Sequence, residues 1–108
     1  MKSILLTLVG ALLLFVCAES VAQKKTTLRK AFKKSFLVGA ALNTGQINGR
    51  DSLAKPLIAN EFSTISPEND LKWSVIHPQP NEYKFQTADN YVALGEANKQ
   101  FIIGHTVA

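Results

Sequence analysis

Between Glu68 and His105 this chain of 108 residues gathers the side chains best suited to chemistry. Glu68, Asn69, Asp70 and Lys72 fall within five positions, followed by His77 and His105. On an extended segment Glu68 and Asp70 would share a face about 7 Å apart, close enough for one carboxyl to act as acid and the other as base. Two solvated loop carboxylates have the same spacing, so spacing alone leaves both readings open. The two histidines have no third nitrogen or sulfur donor at ligand spacing, which argues against a zinc centre. His77, followed by Pro78, reads as a loop residue. There is no G-x-S-x-G elbow, phosphate loop or dinucleotide fingerprint, because Gly39, Gly45 and Gly49 fall in the wrong pattern. No cofactor and no metal are expected. Trp73 reads as a core residue, with stacking on a sugar as the alternative.

These residues need elements to position them. Ser35 to Leu42 is a continuous apolar run, read as a strand buried on both faces, and the turn formers Asn43 to Arg50 read as a loop. Leu53, Leu57, Ile58 and Phe62 suggest a short helix starting near Pro56, which lacks an N–H and is tolerated only near a helix start. Phe62 to Pro67 reads as a second strand and His77 to Asn81 as a proline-punctuated loop. Thr87 is placed to cap a helix with apolar positions Ala88, Tyr91, Val92 and Gly95. Phe101 to Val107 reads as a third strand. Alternating strands and helices with short connections predict an α/β fold with a parallel sheet. Asn43, Glu68, Asn69 and His105 then gather where the strands end, the edge at which parallel α/β folds bind ligands.

The front of the chain has a different character. Lys2 precedes an apolar run from Ile4 to Val16, and small residues stand at Ser20 and Ala22. This three-part plan predicts a secretory signal peptide over residues 1–22, cleaved after Ala22. The alternatives are a membrane anchor, for which the run is shorter than the roughly 20 residues a bilayer requires, and a lipid site at Cys17, which lacks small residues before it. The reading places the mature protein outside the cell or in the periplasm, with no membrane partner after cleavage.

The overall charge is +4 with 46% hydrophobic residues, and the mean hydropathy of +0.05 suits one globular domain. Six of the eleven basic residues beyond Ala22 lie between Lys24 and Lys34, and from Ser35 onward acidic residues outnumber basic ones. A nucleic-acid groove needs basic groups spread over a surface, so no nucleic-acid partner is expected. Leu28, Ala31 and Phe32 follow helical spacing, so residues 23–34 read as a short docking helix with a solvated basic face. Residues 35–108 form the main domain.

Within that domain Ser35-Phe-Leu-Val-Gly-Ala-Ala-Leu-Asn43, Phe62-Ser-Thr-Ile-Ser-Pro-Glu-Asn-Asp-Leu-Lys-Trp73, Tyr83-Lys-Phe85, Ala88-Asp89 and Gly104-His-Thr106 together resemble the start of a glycoside hydrolase family 10 xylanase. The most specific part is Pro67-Glu-Asn-x-x-Lys-Trp73 followed, 37 residues after Glu68, by His105. The resemblance implies a (β/α)8 barrel that hydrolyses internal β-1,4 bonds of xylan with retention, using two glutamates about 5 to 5.5 Å apart. It assigns Glu68, Asn69, Lys72 and His105 to substrate binding on the glycone side of the scissile bond, with xylan or xylo-oligosaccharides as the partner. Both catalytic glutamates of the family belong to later strands, so the resemblance implies no catalytic residue between 1 and 108. Ser66 stands where the family usually has threonine, and Asn81-Glu82 where a glycine commonly makes a turn; asparagine tolerates that conformation.

A barrel of this kind takes about 250 residues, so residues 35–108 are expected to supply three of its eight strands, as the N-terminal part of the domain. Three strands leave two unpaired edges and apolar faces without partners. A truncated, non-catalytic carbohydrate-binding or inert product is the alternative to a working hydrolase. The 108 residues expressed alone are expected neither to fold to a stable monomer nor to release reducing sugar from xylan; clear sugar release by the purified product would overturn this.

Overall fold

A computed structural model describes residues 25–105. The expected signal peptide, Cys17, Lys24 and the last residues of the expected third strand lie outside the described residues. Elements follow in the order α1 (Leu28–Ala31), β1 (Gly39–Leu42), α2 (Thr44–Ile47), α3 (Ala54–Glu61), β2 (Thr64–Pro67), α4 (Trp73–Ile76), α5 (Gln86–Ala97) and β3 (Phe101–Ile102). The strands form one parallel sheet in the order β1-β2-β3, as the alternation of strands and helices predicts.

Among the described residues, the core packs on one face of this sheet. Leu42, Ile47, Ile58, Ile65 and Tyr91 form the core, joined by the half-buried Ala40, Leu94 and Ile102. Side chains alternate along a strand, so Ala40, Leu42, Ile65 and Ile102 face the helices. Gly39, Ala41, Thr64, Ser66, Phe101 and Ile103 take the other face, where Phe101 remains 63% exposed. This explains why the run from Ser35 to Leu42 is not buried on both faces: β1 begins only at Gly39, and Phe36 and Leu37 before it are exposed.

Helix α5 lies close against the sheet because it carries Gly95 there. A β-carbon at that position would come within 2.5 Å of Ile102. One turn earlier, the fully buried Tyr91 places its hydroxyl 2.7 Å from the Ile65 carbonyl and 2.8 Å from that of Ile103. Two of the expected features of α5 differ. The helix starts at Gln86 after Phe85 with no side-chain cap, so Thr87 lies inside its first turn. Val92 is exposed, and Leu94 joins the core in its stead. The helix ends with two bonds, Lys99 N–H to Glu96 O and Gln100 N–H to Gly95 O, around Lys99 at φ +53°. This left-handed ending is usually glycine's.

The segment 43–50, expected as a loop, holds the helix α2. Asn43 and Gln46 form a reciprocal capping box at its start, and Gly49 at φ +70° closes its end. In α3, Pro56 is the third residue, near the start as required, and the Asp51 carboxylate accepts from the Ala54 N–H.

The basic segment docks through polar groups. Helix α1 is shorter than the segment predicts, and Leu28 and Phe32 stay partly exposed. Arg29, expected on the solvated face, donates to the carbonyls of Asn98, Lys99 and Ala59 at the ends of α5 and α3. A cation there also suits the negative ends of the helix dipoles.

Burial pushes the Tyr91 phenol above its ordinary value of 10.0. The folded state therefore keeps this proton at a pH where the unfolded chain has lost it, so the stabilisation is complete below about pH 10 and declines above it. Tyr91→Phe is expected to cost about 1 kcal/mol at neutral pH and to lack the decline due to Tyr91, both readable from urea denaturation of the full-length protein at pH 7 to 11.

Candidate functional site

Parallel register carries the strand ends to one edge. Leu42 pairs with Pro67 and Ile65 with Ile102, so continuing the count puts Asn43 beside Glu68 and Glu68 beside His105. By the same alternation Asn43 and Glu68, which directly follow β1 and β2, continue the face of Gly39 and Thr64. The Glu68 N–H donates to the Leu42 carbonyl at 2.9 Å, and the Ile103 N–H to the Ile65 carbonyl at 3.0 Å, which extends the ladder toward this edge.

The turn after β2 divides its residues between solvent and core. Glu68, Asn69 and Lys72 are exposed, Asp70 is buried and Leu71 is half-buried. Lys72 Nζ donates to Asn69 Oδ1 at 2.7 Å, and the Lys72 N–H to the Asn69 carbonyl at 2.9 Å. Asn69 thus points its oxygen at the ammonium and keeps its amide hydrogens for another acceptor, while Lys72 retains two donors.

The reading of Glu68 and Asp70 as an acid and base pair on one face fails in this geometry. Asp70 turns away from the edge and its Oδ1 accepts from Thr44 Oγ1 at 2.8 Å. The turn is not extended, so the two-residue spacing does not align the carboxylates. Asn43 is also occupied, because its side-chain oxygen accepts from the Gln46 N–H to cap α2. The structure therefore brings Glu68, Asn69 and Lys72 together on one turn, and the exposed His105 follows on the same edge three residues past β3, which ends at Ile102 and not, as the sequence predicts, near Val107.

Trp73, expected in the core, is 54% exposed. It heads α4 and packs edge-on to His77, with ring centroids 4.8 Å apart. His77 stacks flat on Tyr83 at 4.3 Å, and its Nδ1 lies 2.8 Å from the Glu82 carbonyl. The loop folds back through a turn closed by the Glu82 N–H and Gln79 carbonyl, with Asn81 at φ +65°. Asparagine thus adopts the conformation for which a glycine would be unstrained. His77 is a loop residue held by its own segment. The described residues contain no group of three His, Cys, Asp or Glu side chains arranged to hold a metal.

A cavity of about 670 Å³ opens at the opposite edge of the sheet, beneath α1, with Lys30, Lys33, Leu37, Lys99 and Phe101 among its lining residues. None of the four site residues borders it. It follows from the uncovered sheet face and not from the polar edge. Sequence reasoning missed Thr44, whose signal was the Asn43-x-x-Gln46 capping pattern that starts α2 with Thr44 as its first residue.

Comparison with known proteins identifies the family and the fold. The sequence model of Glycosyl hydrolase family 10 matches residues 27–108. Endo-1,4-beta-xylanase A of Xylanibacter ruminicola is 36% identical over 96 residues, covering 89% of this chain and 26% of that protein. Beta-1,4-xylanase of Dictyoglomus thermophilum is 34% identical over 104 residues, covering 96% and 28%. The chain thus spans about a quarter of the length of these relatives. Among solved structures, a family 10 endoxylanase from a sugarcane soil metagenome superposes with a TM-score of 0.73 at 33% identity, covering 78% of this chain and 25% of that one. Xylanase 10B of Thermotoga petrophila, in complex with xylobiose, gives 0.72 at 28%, covering 80% and 27%. The three parallel strands and their helices are part of a (β/α)8 barrel, and the chain belongs to glycosyl hydrolase family 10.

Proposed function

We propose that this chain supplies the glycone-side substrate-binding edge of a secreted endo-1,4-β-xylanase that hydrolyses internal bonds of xylan with retention. The observation that carries the reading is the exposed trio Glu68, Asn69 and Lys72 on one turn at the strand ends, with His105 in the same row. The Glu68 carboxylate accepts from sugar hydroxyls, and bonds to a carboxylate are the stronger kind. Lys72 donates the two hydrogens that Asn69 leaves to it, and the Asn69 amide donates in turn. His105 can serve as donor or acceptor according to its tautomer. Together they hold a xylose unit by its ring hydroxyls and set its bond toward the reacting groups.

Retention needs two carboxyl groups about 5 to 5.5 Å apart, one as acid and base and one as nucleophile. This reading takes from the family resemblance that both belong to later strands; Asp70, buried with its Oδ1 on the Thr44 hydroxyl, is neither of them. Export rests on the three-part pattern of residues 1–22.

Replacing Glu68 by Gln keeps the shape and removes the charge. In the full-length protein this variant is expected to lower kcat/KM on xylan about 10- to 100-fold with little change in melting temperature. A wild-type kcat/KM for Glu68→Gln would contradict the assignment.

A further inference from the structure

This inference rests on the reading of Glu68, Asn69 and Lys72 as the sugar-binding turn, and concerns what holds that turn in place. Between its exposed members lies Asp70, 5% exposed. Its Oδ1 accepts from Thr44 Oγ1, and its buried Oδ2 has no hydrogen-bond partner among the described residues. Taking a carboxylate out of water is costly unless donors replace the lost hydration. The Thr44 hydroxyl is the donor seen here.

Thr44 is itself firmly placed. It is the first residue of α2, a four-residue helix closed by a capping box at one end and by Gly49 at the other. Ile47 of the same helix is buried in the core. The hydroxyl is therefore presented from a rigid element built on the end of β1. Together with the bond from the Glu68 N–H to the Leu42 carbonyl, the Thr44 and Asp70 pair ties the turn after β2 to the turn after β1 at two points. One precedes Asn69 and one follows it.

We infer that Asp70 is a positioning residue, clamped by Thr44, which fixes the turn so that Glu68, Asn69 and Lys72 reach the sugar together. It touches no substrate. Without the clamp the strands still pair and the core still packs, but the turn is free to shift and the three side chains meet the sugar less often in one arrangement. The loss falls on binding of the glycone unit, before any bond is broken.

The test uses the full-length protein and xylotriose. Thr44→Val keeps the shape and removes the hydroxyl, and Thr44→Ser keeps the hydroxyl. Thr44→Val is expected to weaken xylotriose affinity and raise KM about tenfold with kcat retained at saturation, and Thr44→Ser to restore affinity to within about twofold. Asp70→Ala is expected to match Thr44→Val, and the double variant to lose no more than either alone, since both remove one interaction. Asp51→Ala, which removes the carboxylate that accepts from the Ala54 N–H at the start of α3, is expected to lower the melting temperature without moving KM. This separates a general loss of stability from a loss of positioning. Wild-type affinity in Thr44→Val, or a fall in kcat with KM unchanged, overturns the inference provided Glu68→Gln binds weakly. Should Glu68→Gln also bind like the wild type, the reading of the turn as a sugar site fails first and the clamp loses its role with it.

Discussion

The Tyr91 hydroxyl lies between the carbonyls of Ile65 and Ile103, and the polar edge depends on this bond. One hydroxyl has one hydrogen to give, so the two carbonyls share it, and the shared hydrogen holds β2 and the strand next to it in register. Gly95 allows α5 close enough for Tyr91 to reach them. With the register held, the strand ends at Glu68 and His105 fall in one row. A shift of one residue would send those side chains to the helix-covered face.

The opposite end is held by different chemistry. Arg29 gathers carbonyls from the ends of α3 and α5, and the buried Gln100 donates to the carbonyls of Ile58 and Phe62. These bonds close the lower side of the sheet with side-chain cations and amides, while the upper side keeps its polar groups exposed. The side chains of Glu68, Asn69 and Lys72 take no part in these bonds, and the turn that carries them is held instead by the Glu68 N–H on the Leu42 carbonyl and by Asp70 on Thr44.

The alternation of apolar runs with helical spacing was enough to read three strands in parallel, the helix near Pro56 and the collection of Glu68, Asn69 and His105 at one edge. Local patterns carry that information. What was not legible depended on neighbours. Ser35 to Leu42 looks buried on both faces by composition, yet burial is decided by what packs against each face, and among the described residues only the helix-covered face is packed. Thr87 is a good capping residue by type, but the helix starts at Gln86, with the Asp89 N–H already bonded to the Phe85 carbonyl, so Thr87 falls inside the first turn. The inward turn of Asp70 was hidden for the same reason. A two-residue spacing means a shared face only on an extended chain, and the chain bends after Pro67. Helix α2 is legible in Asn43-x-x-Gln46 and Gly49, but glycines and asparagines are as frequent in loops, so composition alone points to a loop.

The central claim is that one edge of this sheet, formed by Glu68, Asn69, Lys72 and His105, meets the sugar. Amide and side-chain chemical shifts of the isotope-labelled full-length protein, followed through a xylotriose titration, test it most directly. The account predicts saturable shifts at Glu68, Asn69, Lys72 and His105 with one common dissociation constant, while Lys30, Lys33 and Lys99 at the opposite edge stay still. Saturable shifts confined to that opposite edge, or none at the four site residues, would contradict it.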